Sequence, residues 1–374
     1  MRAAGRGVGH LYVHLPFCAH RCGYCDFVTV VGRGARHAPY VDALLAELEL
    51  ERSTLRPELE SVFLGGGTPT FTEAAALGRL LAALQPAHEV TVEANPETVT
   101  PELASLLREG GVNRVSLGVQ SFQPHLLATL ERLASPGTVR RAFEALRTAG
   151  FANISLDLVY GIPGQSPADL ERDLDEALAL GPEHLSLYEL EAKPGTRFTH
   201  RHGGELARQA EAMEGYFERV VETLVGAGFR WYETANFCRA PAEAGGRDLR
   251  ARHNLAYWLG RDYLGLGIGA VSTVGGLRWR NTPRLERYLE ALGRGASPPR
   301  ELEPLDAAVS LRERVLLGLR LDEPLVLAEV EPAIDGAALE RLRGLGLASD
   351  GGGKLSLTRR GRFLGGAVTA DLLV

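Results

Sequence analysis

Residues 11–27 read LYVHLPFCAHRCGYCDF. Cys18, Cys22 and Cys25 stand in the spacing C-x-x-x-C-x-x-C. Three thiols in one short loop cannot pair off as disulfides without leaving one over. They can hold three irons of a [4Fe–4S] cluster, for which thiolate is the usual ligand. The fourth iron would then be open to a small molecule. The alternative is a structural zinc ion, with His14 or His20 as fourth ligand. Zinc ligands normally come as two spaced pairs, and no second pair follows here, so the spacing favours the cluster.

Outward from this loop, short apolar runs alternate with stretches of helical period. Strands are expected at 11–17, 61–67, 89–95, 114–120, 153–162 and 184–191. Helices are expected at 39–53, 72–84, 100–110 and 167–180, in segments up to Ala149, and from about Leu206 to Ala227. Thr100 followed by Pro101 is a helix start: an N-cap hydroxyl, then a ring preset for the first turn. Six strands alternating with helices predict a parallel sheet with right-handed crossovers. The chemistry-bearing residues fall at or near the C-terminal ends of several strands, as at the mouth of a barrel. Beyond residue 230 the pattern changes. WYETANF (231–237) adds a strand, HNLAYWLG (253–260) a helix, and Gly275-Gly276 a hairpin turn. From about Pro304 the chain turns helical. Helix 337–344, a hairpin across LASDGGGKLSLT and a helix from Arg359 make a winged-helix-like unit. The domains expected are 1–230 for the barrel, 231–300 for an extension, and 301–374 for the C-terminal unit.

The chain has 374 residues, 45 % of them hydrophobic, and a net charge of −6. No polybasic run is present, and the C-terminal segment is not markedly basic, so nucleic acid is not an expected partner. Four cysteines, three of them in one motif, do not make a secreted disulfide framework. Arg2 and Arg6 are not followed by a signal-type apolar region. No apolar run approaches the roughly 18 residues of a membrane-spanning helix. A cytoplasmic location is expected.

The cysteine spacing after a first strand, with Tyr24 before the last cysteine, resembles the radical S-adenosylmethionine (SAM) superfamily. HLPFCAHRCGYCDF is similar to the branch holding the oxygen-independent coproporphyrinogen III oxidases and the heme chaperones related to them. The resemblance implies a partial (β/α)6 barrel and a SAM molecule chelated by the open iron. It also implies an electron donor wherever SAM is cleaved to a deoxyadenosyl radical.

It also implies roles for single residues. In GGGTPT (65–70), Gly66, Gly67 and Thr68 would hold the SAM amino group, although three glycines also suit a tight turn. Tyr12 would contact SAM or pack in the sheet. Glu93, in VEANPE, would accept from the ribose hydroxyls or pair with an arginine, since an unbonded buried carboxylate is costly. Gln120, Arg132 and Asp157 would form a second SAM-contacting set, with Arg132 the expected ionic partner of Asp157. YGIPGQ (160–165) resembles the loop on the adenine side. Cys238 reads as a buried structural thiol.

HNLAYW (253–258) resembles an H-N-x-x-Y-W element of the chaperone branch whose histidine is implicated in holding heme. His253 is therefore a candidate axial ligand, with Tyr257 and Trp258 as an aromatic wall. As a bare sequence pattern it is equally ordinary helix packing. The oxidases carry a further cysteine where this chain has Phe27, and a longer arm before the first strand. Both differences favour a chaperone that binds heme and passes it to acceptor proteins, respiratory membrane proteins among them. The alternative is the oxidase. Relatives usually read R-x-H-S and G-A-H-S where this chain has Arg132-Leu-Ala-Ser and Gly269-Ala-Val271-Ser, so two expected histidines are missing.

Overall fold

A computed structural model describes residues 7–374 apart from 33, 192, 194, 195, 210 and 211. The six expected strands are present: β1 (His10–Leu15), β2 (Leu59–Gly66), β3 (Ala87–Ala94), β4 (Arg114–Gln120), β5 (Ile154–Tyr160) and β6 (His184–Glu189). They pair in parallel in that order. Three more strands extend the sheet. WYETANF is not one strand but the turn of an antiparallel hairpin, β7 (Phe229–Glu233) and β8 (Asn236–Arg239), and β8 pairs antiparallel with β6. β9 (Leu264–Leu266), three residues inside a glycine-rich stretch, pairs in parallel with β1. The sheet order is β9-β1-β2-β3-β4-β5-β6-β8-β7, so the sheet is open, with β9 and β7 at its edges.

Helices α1 (His37–Glu51), α2 (Ala74–Ala83), α3 (Pro101–Glu109), α4 (Pro124–Thr129), α5 (Pro136–Thr148) and α6 (Pro167–Leu180) fill the crossovers. α3, α5 and α6 start on side-chain caps, and Thr100 is the expected one. The Thr100 hydroxyl accepts from Leu103 N–H, and Ser166 and Asp169 form a reciprocal capping box. Where one helix was expected over Leu206–Ala227 there are two, α7 (Arg197–Gln209) and α8 (Met213–Gly226); residues 210 and 211 between them lie outside the described residues, as do Arg2 and Arg6.

Strand side chains alternate between faces, and the two faces of this sheet differ in kind. Leu11, Val13, Leu15, Val62, Leu64, Val90, Val92, Val115 and Leu117 lie on the helix side in one apolar core. The alternate positions are mostly polar: His10, Tyr12 and His14 on β1, Ser61 on β2, Glu89, Thr91 and Glu93 on β3, Arg114 and Ser116 on β4, Ser155 and Asp157 on β5, and His184 and Ser186 on β6, with Phe63, Val159 and Tyr188 among them. A polar inner face is unusual for buried parallel strands, which are normally apolar on both sides. It needs hydrogen-bond partners throughout.

Past β8, helix α9 (Arg252–Trp258) carries HNLAYW. A second sheet, β10 (Val271–Val274), β11 (Leu277–Asn281) and β12 (Arg300–Pro304), turns at Gly275-Gly276, both at positive φ as a two-residue hairpin of this type requires. α10 (Leu285–Gly293) packs into the main core through Leu285, Tyr288 and Leu292; the C-terminal segment holds α11 (Ala307–Gly318), α12 (Gly336–Gly344), α13 (Arg359–Phe363) and α14 (Gly365–Leu372), with a small three-stranded sheet and its own core around Val315, Leu339, Leu355 and Leu372. Among the described residues no helix is long and apolar enough to cross a membrane.

Candidate functional site

The cysteine loop leaves β1 at Pro16 and closes on itself. Phe17–Cys18 pairs in parallel with Val30–Val31, and Val30 N–H donates to the Pro16 carbonyl at 2.8 Å. His14, one strand position inside, ties down the return. Burial lowers its pKa to about 4, so the ring is neutral. Its Nε2–H donates to the Val28 carbonyl at 2.8 Å, and its Nδ1 accepts from the Tyr12 hydroxyl at 3.0 Å. Cys18 Sγ lies 3.4 Å from Thr68 Oγ1, and Cys22 Sγ lies 3.9 Å from an Arg132 nitrogen. Burial pushes all three thiols up, and Arg132 opposes this at Cys18 and Cys22.

The three sulfurs line a cavity of about 440 Å³. Among the described residues, no group of three His, Cys, Asp or Glu side chains closes round a single ion. His14 has both ring nitrogens engaged, and His20 Nε2 donates to the Glu131 carbonyl at 2.6 Å. His14 could serve as a fourth zinc ligand only by breaking one of these bonds. Three thiol donors around an open cavity fit a multinuclear cluster with one free coordination site.

The facing wall is the end of β2. At Gly66 (φ +113°) a Cβ would sit 2.5 Å from the His14 ring, and at Gly67 one would sit 2.4 Å from the Pro16 carbonyl oxygen. Glycine here lets strand end and cysteine loop touch backbone to backbone. Glu93 lies at the end of β3, and Gly66 N–H donates to its Oε2 at 3.0 Å. Burial raises its carboxyl to about 7, with Asp157 adding to the rise and Gly66 and Arg114 opposing it. Gln120 ends β4 with φ +68°, a strained conformation for a residue with a side chain, beside a register shift.

Arg132 and Asp157 both line the cavity but are not partners. Arg132 donates to Asn95 Oδ1 at 2.7 Å and to the Gly118 carbonyl at 2.9 Å, fastening the α4–α5 connection to the ends of β3 and β4. Asp157 accepts from Ser116 at 2.7 Å and Ser155 at 3.2 Å. Its nearby cation is Arg114, buried on the inner face. The expected Arg132–Asp157 pair is thus replaced by serine donors plus Arg114. Tyr24 lines the same cavity; burial holds its hydroxyl at about 12, with Arg132 opposing the rise.

The sequence profile of the Radical SAM superfamily matches residues 12–177. The heme chaperone HemW of Mycobacterium tuberculosis (strain CDC 1551 / Oshkosh) is 40% identical over 97% of this chain and 94% of its own length. HemW of Bacillus subtilis (strain 168) is 33% identical over 97% of this chain and 98% of its own length. This chain belongs to the HemW family of radical SAM proteins. A solved structure of coproporphyrinogen III oxidase (HemN) from Escherichia coli, a radical SAM enzyme, superposes with a TM-score of 0.84 over 99% of this chain and 91% of that one. At 24% identity it shows that the fold is shared.

Two expected site residues of this HemW-family chain lie away from the cavity wall. Tyr12 bonds His14 and stacks on Phe63, with ring centres 6.2 Å apart, which is the sheet-packing alternative. His253 is 1 % exposed. Its Nδ1 lies 2.9 Å from Ser61 Oγ and its Nε2 2.9 Å from the Tyr257 hydroxyl. Burial lowers its pKa to about 3. Both ring nitrogens of the candidate ligand are thus bonded, with the Tyr257 hydroxyl on Nε2. Trp258 is covered by the Arg320 guanidinium at 4.4 Å. Glu89 accepts from the backbone N–H of Arg252 and of His253, seating α9 on the inner face of the sheet.

Sequence reasoning missed Asn95, Ser116 and Arg114. Asn95 follows Glu93 by two and takes both Arg132 and, through its Nδ2, Thr68 Oγ1 at 3.0 Å. The available signal was the polar alternation R-x-S-x-G-x-Q along β4, which puts Arg114 and Ser116 on the face of Gln120. Cys238 is buried with its thiol pushed up to about 12, as a structural thiol should be.

Proposed function

We propose that this chain holds a [4Fe–4S] cluster through Cys18, Cys22 and Cys25, binds SAM beside it, and serves in the cytoplasm as a chaperone that takes up heme and passes it to heme-dependent acceptor proteins. The observation that carries the reading is the convergence of the three thiols with Gly66, Gly67, Thr68, Glu93, Gln120, Arg132 and Asp157 on one cavity, in a chain whose HemW relatives match it nearly end to end. When bound, the cluster supplies one iron open to amino and carboxylate groups and a source of one electron. An external electron donor is required if SAM is cleaved.

The protein's own groups do the rest. The Gly66–Gly67 backbone admits the amino acid end of SAM close to the strand. Glu93 and Asp157 offer buried acceptors on the cavity wall; burial raises the carboxyls of both, and the low local dielectric strengthens each bond they make. Arg132 stands against Cys22 as a cation that favours thiolate. Phe27, 62 % exposed at the cavity rim, offers apolar surface to a porphyrin face, and Tyr188 and Leu190 line the same opening. The separate core of residues 315–372 supports reading 301–374 as a packing unit beside the barrel.

The test is anaerobic reconstitution, followed by heme titration at the Soret band and a coproporphyrinogen consumption assay. Saturable heme binding, transfer to an apo-acceptor and no turnover support the chaperone. Conversion of coproporphyrinogen moves the protein to the oxidase reading.

A further inference from the structure

Beneath the cavity floor a chain of hydrogen bonds crosses the inner face of the sheet. It starts at Ala251, the residue before α9, whose N–H donates to the Tyr232 oxygen at 3.2 Å. The Tyr232 hydroxyl lies 2.7 Å from His184 Nε2. His184 Nδ1 lies 2.8 Å from Ser155 Oγ, and Ser155 Oγ lies 3.2 Å from Asp157 Oδ1. Tyr232, His184 and Ser155 are each 0 % exposed, so bulk water reaches none of the three.

Counting protons fixes the direction of every bond. A backbone amide can only donate, so Tyr232 oxygen is an acceptor toward Ala251. Among the described residues, the Tyr232 proton has one acceptor within reach, His184 Nε2. Burial and the Arg114 charge hold His184 well below its ordinary pKa, so the ring is neutral and carries one proton. With Nε2 accepting, that proton is on Nδ1, and Nδ1–H donates to Ser155. Ser155 has one proton of its own and turns it toward Asp157. In the other tautomer Ser155 would donate to Nδ1, leaving Asp157 facing a serine lone pair. That arrangement costs the carboxylate one of the few donors available to it on the inner face.

We propose that His184 is a positioning residue for Asp157: held by Tyr232 as the Nδ1–H tautomer, it makes Ser155 a donor and keeps Asp157 an acceptor for SAM. The inference rests on the assignment of Asp157 to the SAM site above. It gives a role to two buried residues of β6 and β7 that do not touch the cavity. It also joins the seat of α9, through Ala251, to the polarity of the SAM pocket.

The experiment has two arms on the reconstituted full chain. In the first, 15N-histidine NMR reads the His184 tautomer in the wild type and in Tyr232→Phe. The wild type should show Nδ1–H, and Tyr232→Phe should raise the Nε2–H fraction. In the second, anaerobic equilibrium dialysis reads SAM affinity, with iron and sulfide content as the control for an intact cluster. Asn offers an N–H near the Nδ1 position and Gln one near Nε2. Loss of one donor to a charged group is expected to weaken SAM about tenfold in His184→Gln and Ser155→Ala, while His184→Asn stays within about threefold of wild type. Ser155→Ala, the smallest change, carries this arm if the His184 variants do not fold. An Nε2–H tautomer in the wild type overturns the proposal. So does wild-type SAM affinity in His184→Gln and Ser155→Ala while Asp157→Asn loses it. If Asp157→Asn binds SAM as well as the wild type does, the SAM-site reading itself fails, a result distinct from failure of the relay.

Discussion

Glu93 is pulled in two directions. Its carboxyl is raised from 4.5 to about 7, mainly by burial. Between those values the folded chain keeps a proton that the unfolded chain has released, so stability falls as pH rises through the window. Glu93→Gln keeps an acceptor for Gly66 N–H and removes the charge. At pH 8 it should stabilise the SAM-free protein by about 1–3 kcal/mol in denaturant unfolding, a fraction of the full linkage. The same variant should bind SAM more weakly. Wild-type SAM affinity should fall as pH drops through about 7, because the protonated carboxyl is a poorer acceptor. A flat titration from pH 6 to 8 would remove Glu93 from the ribose site. Gly67→Ala tests packing: its Cβ would press on the Pro16 carbonyl oxygen at 2.4 Å. About 1–3 kcal/mol of overpacking should loosen the cysteine loop, read as lower iron and sulfide content at unchanged circular dichroism. At this scale the sequence named many of the cavity residues but not their partners, and it missed Asn95 and Ser116 on the wall. Arg132 and Asp157 share a cavity, yet spacing along a chain contains no distance, and Arg114 reads as an ordinary strand start.

The cysteine loop and α9 carry the two sharpest sequence motifs, and they differ in legibility. The loop is local: three cysteines, one turn and one return strand within twenty residues, so its spacing alone was informative. α9 takes its meaning from contacts far away in sequence, to Ser61 and Glu89. No pattern inside HNLAYW distinguishes a ligand histidine from one bonded on both sides. The β7–β8 hairpin was read as one strand because WYETANF has no glycine or proline to mark the Thr234-Ala235 turn. Two outcomes follow. Glu89→Ala removes the carboxylate that caps α9 and should lower stability by about 1–2 kcal/mol without changing the iron–sulfur spectrum. His253→Ala loses two buried hydrogen bonds and should cost about 2–4 kcal/mol. Its heme titration, measured below its lowered melting temperature, should match the wild type. A shifted Soret band at undiminished stability would restore His253 as a ligand.

Across the whole molecule, the site depends on strand ends being held level by elements at both edges of the sheet. On one side buried Glu47 gathers Gly267 N–H, Asn281 and Tyr288 at 2.6–2.8 Å, locking α1 to the segment around β9 and to α10. On the other, Arg230–Asp322 and Arg320–Glu233 pairs at 2.7 Å tie the β7 edge to the C-terminal segment. The alternation of strands and helices made the six-stranded centre legible. The edge strands were not, because they form by pairing with partners distant in sequence. The central claim is that this architecture holds a cluster with a SAM-binding iron. The direct measurement is iron and sulfide analysis with EPR of the reduced, anaerobically reconstituted protein, with and without SAM. The account predicts about four irons and four sulfides per chain, an EPR signal that SAM alters, and loss of both in Cys22→Ala. One zinc per chain with no sulfide, or a cluster signal indifferent to SAM, would contradict it.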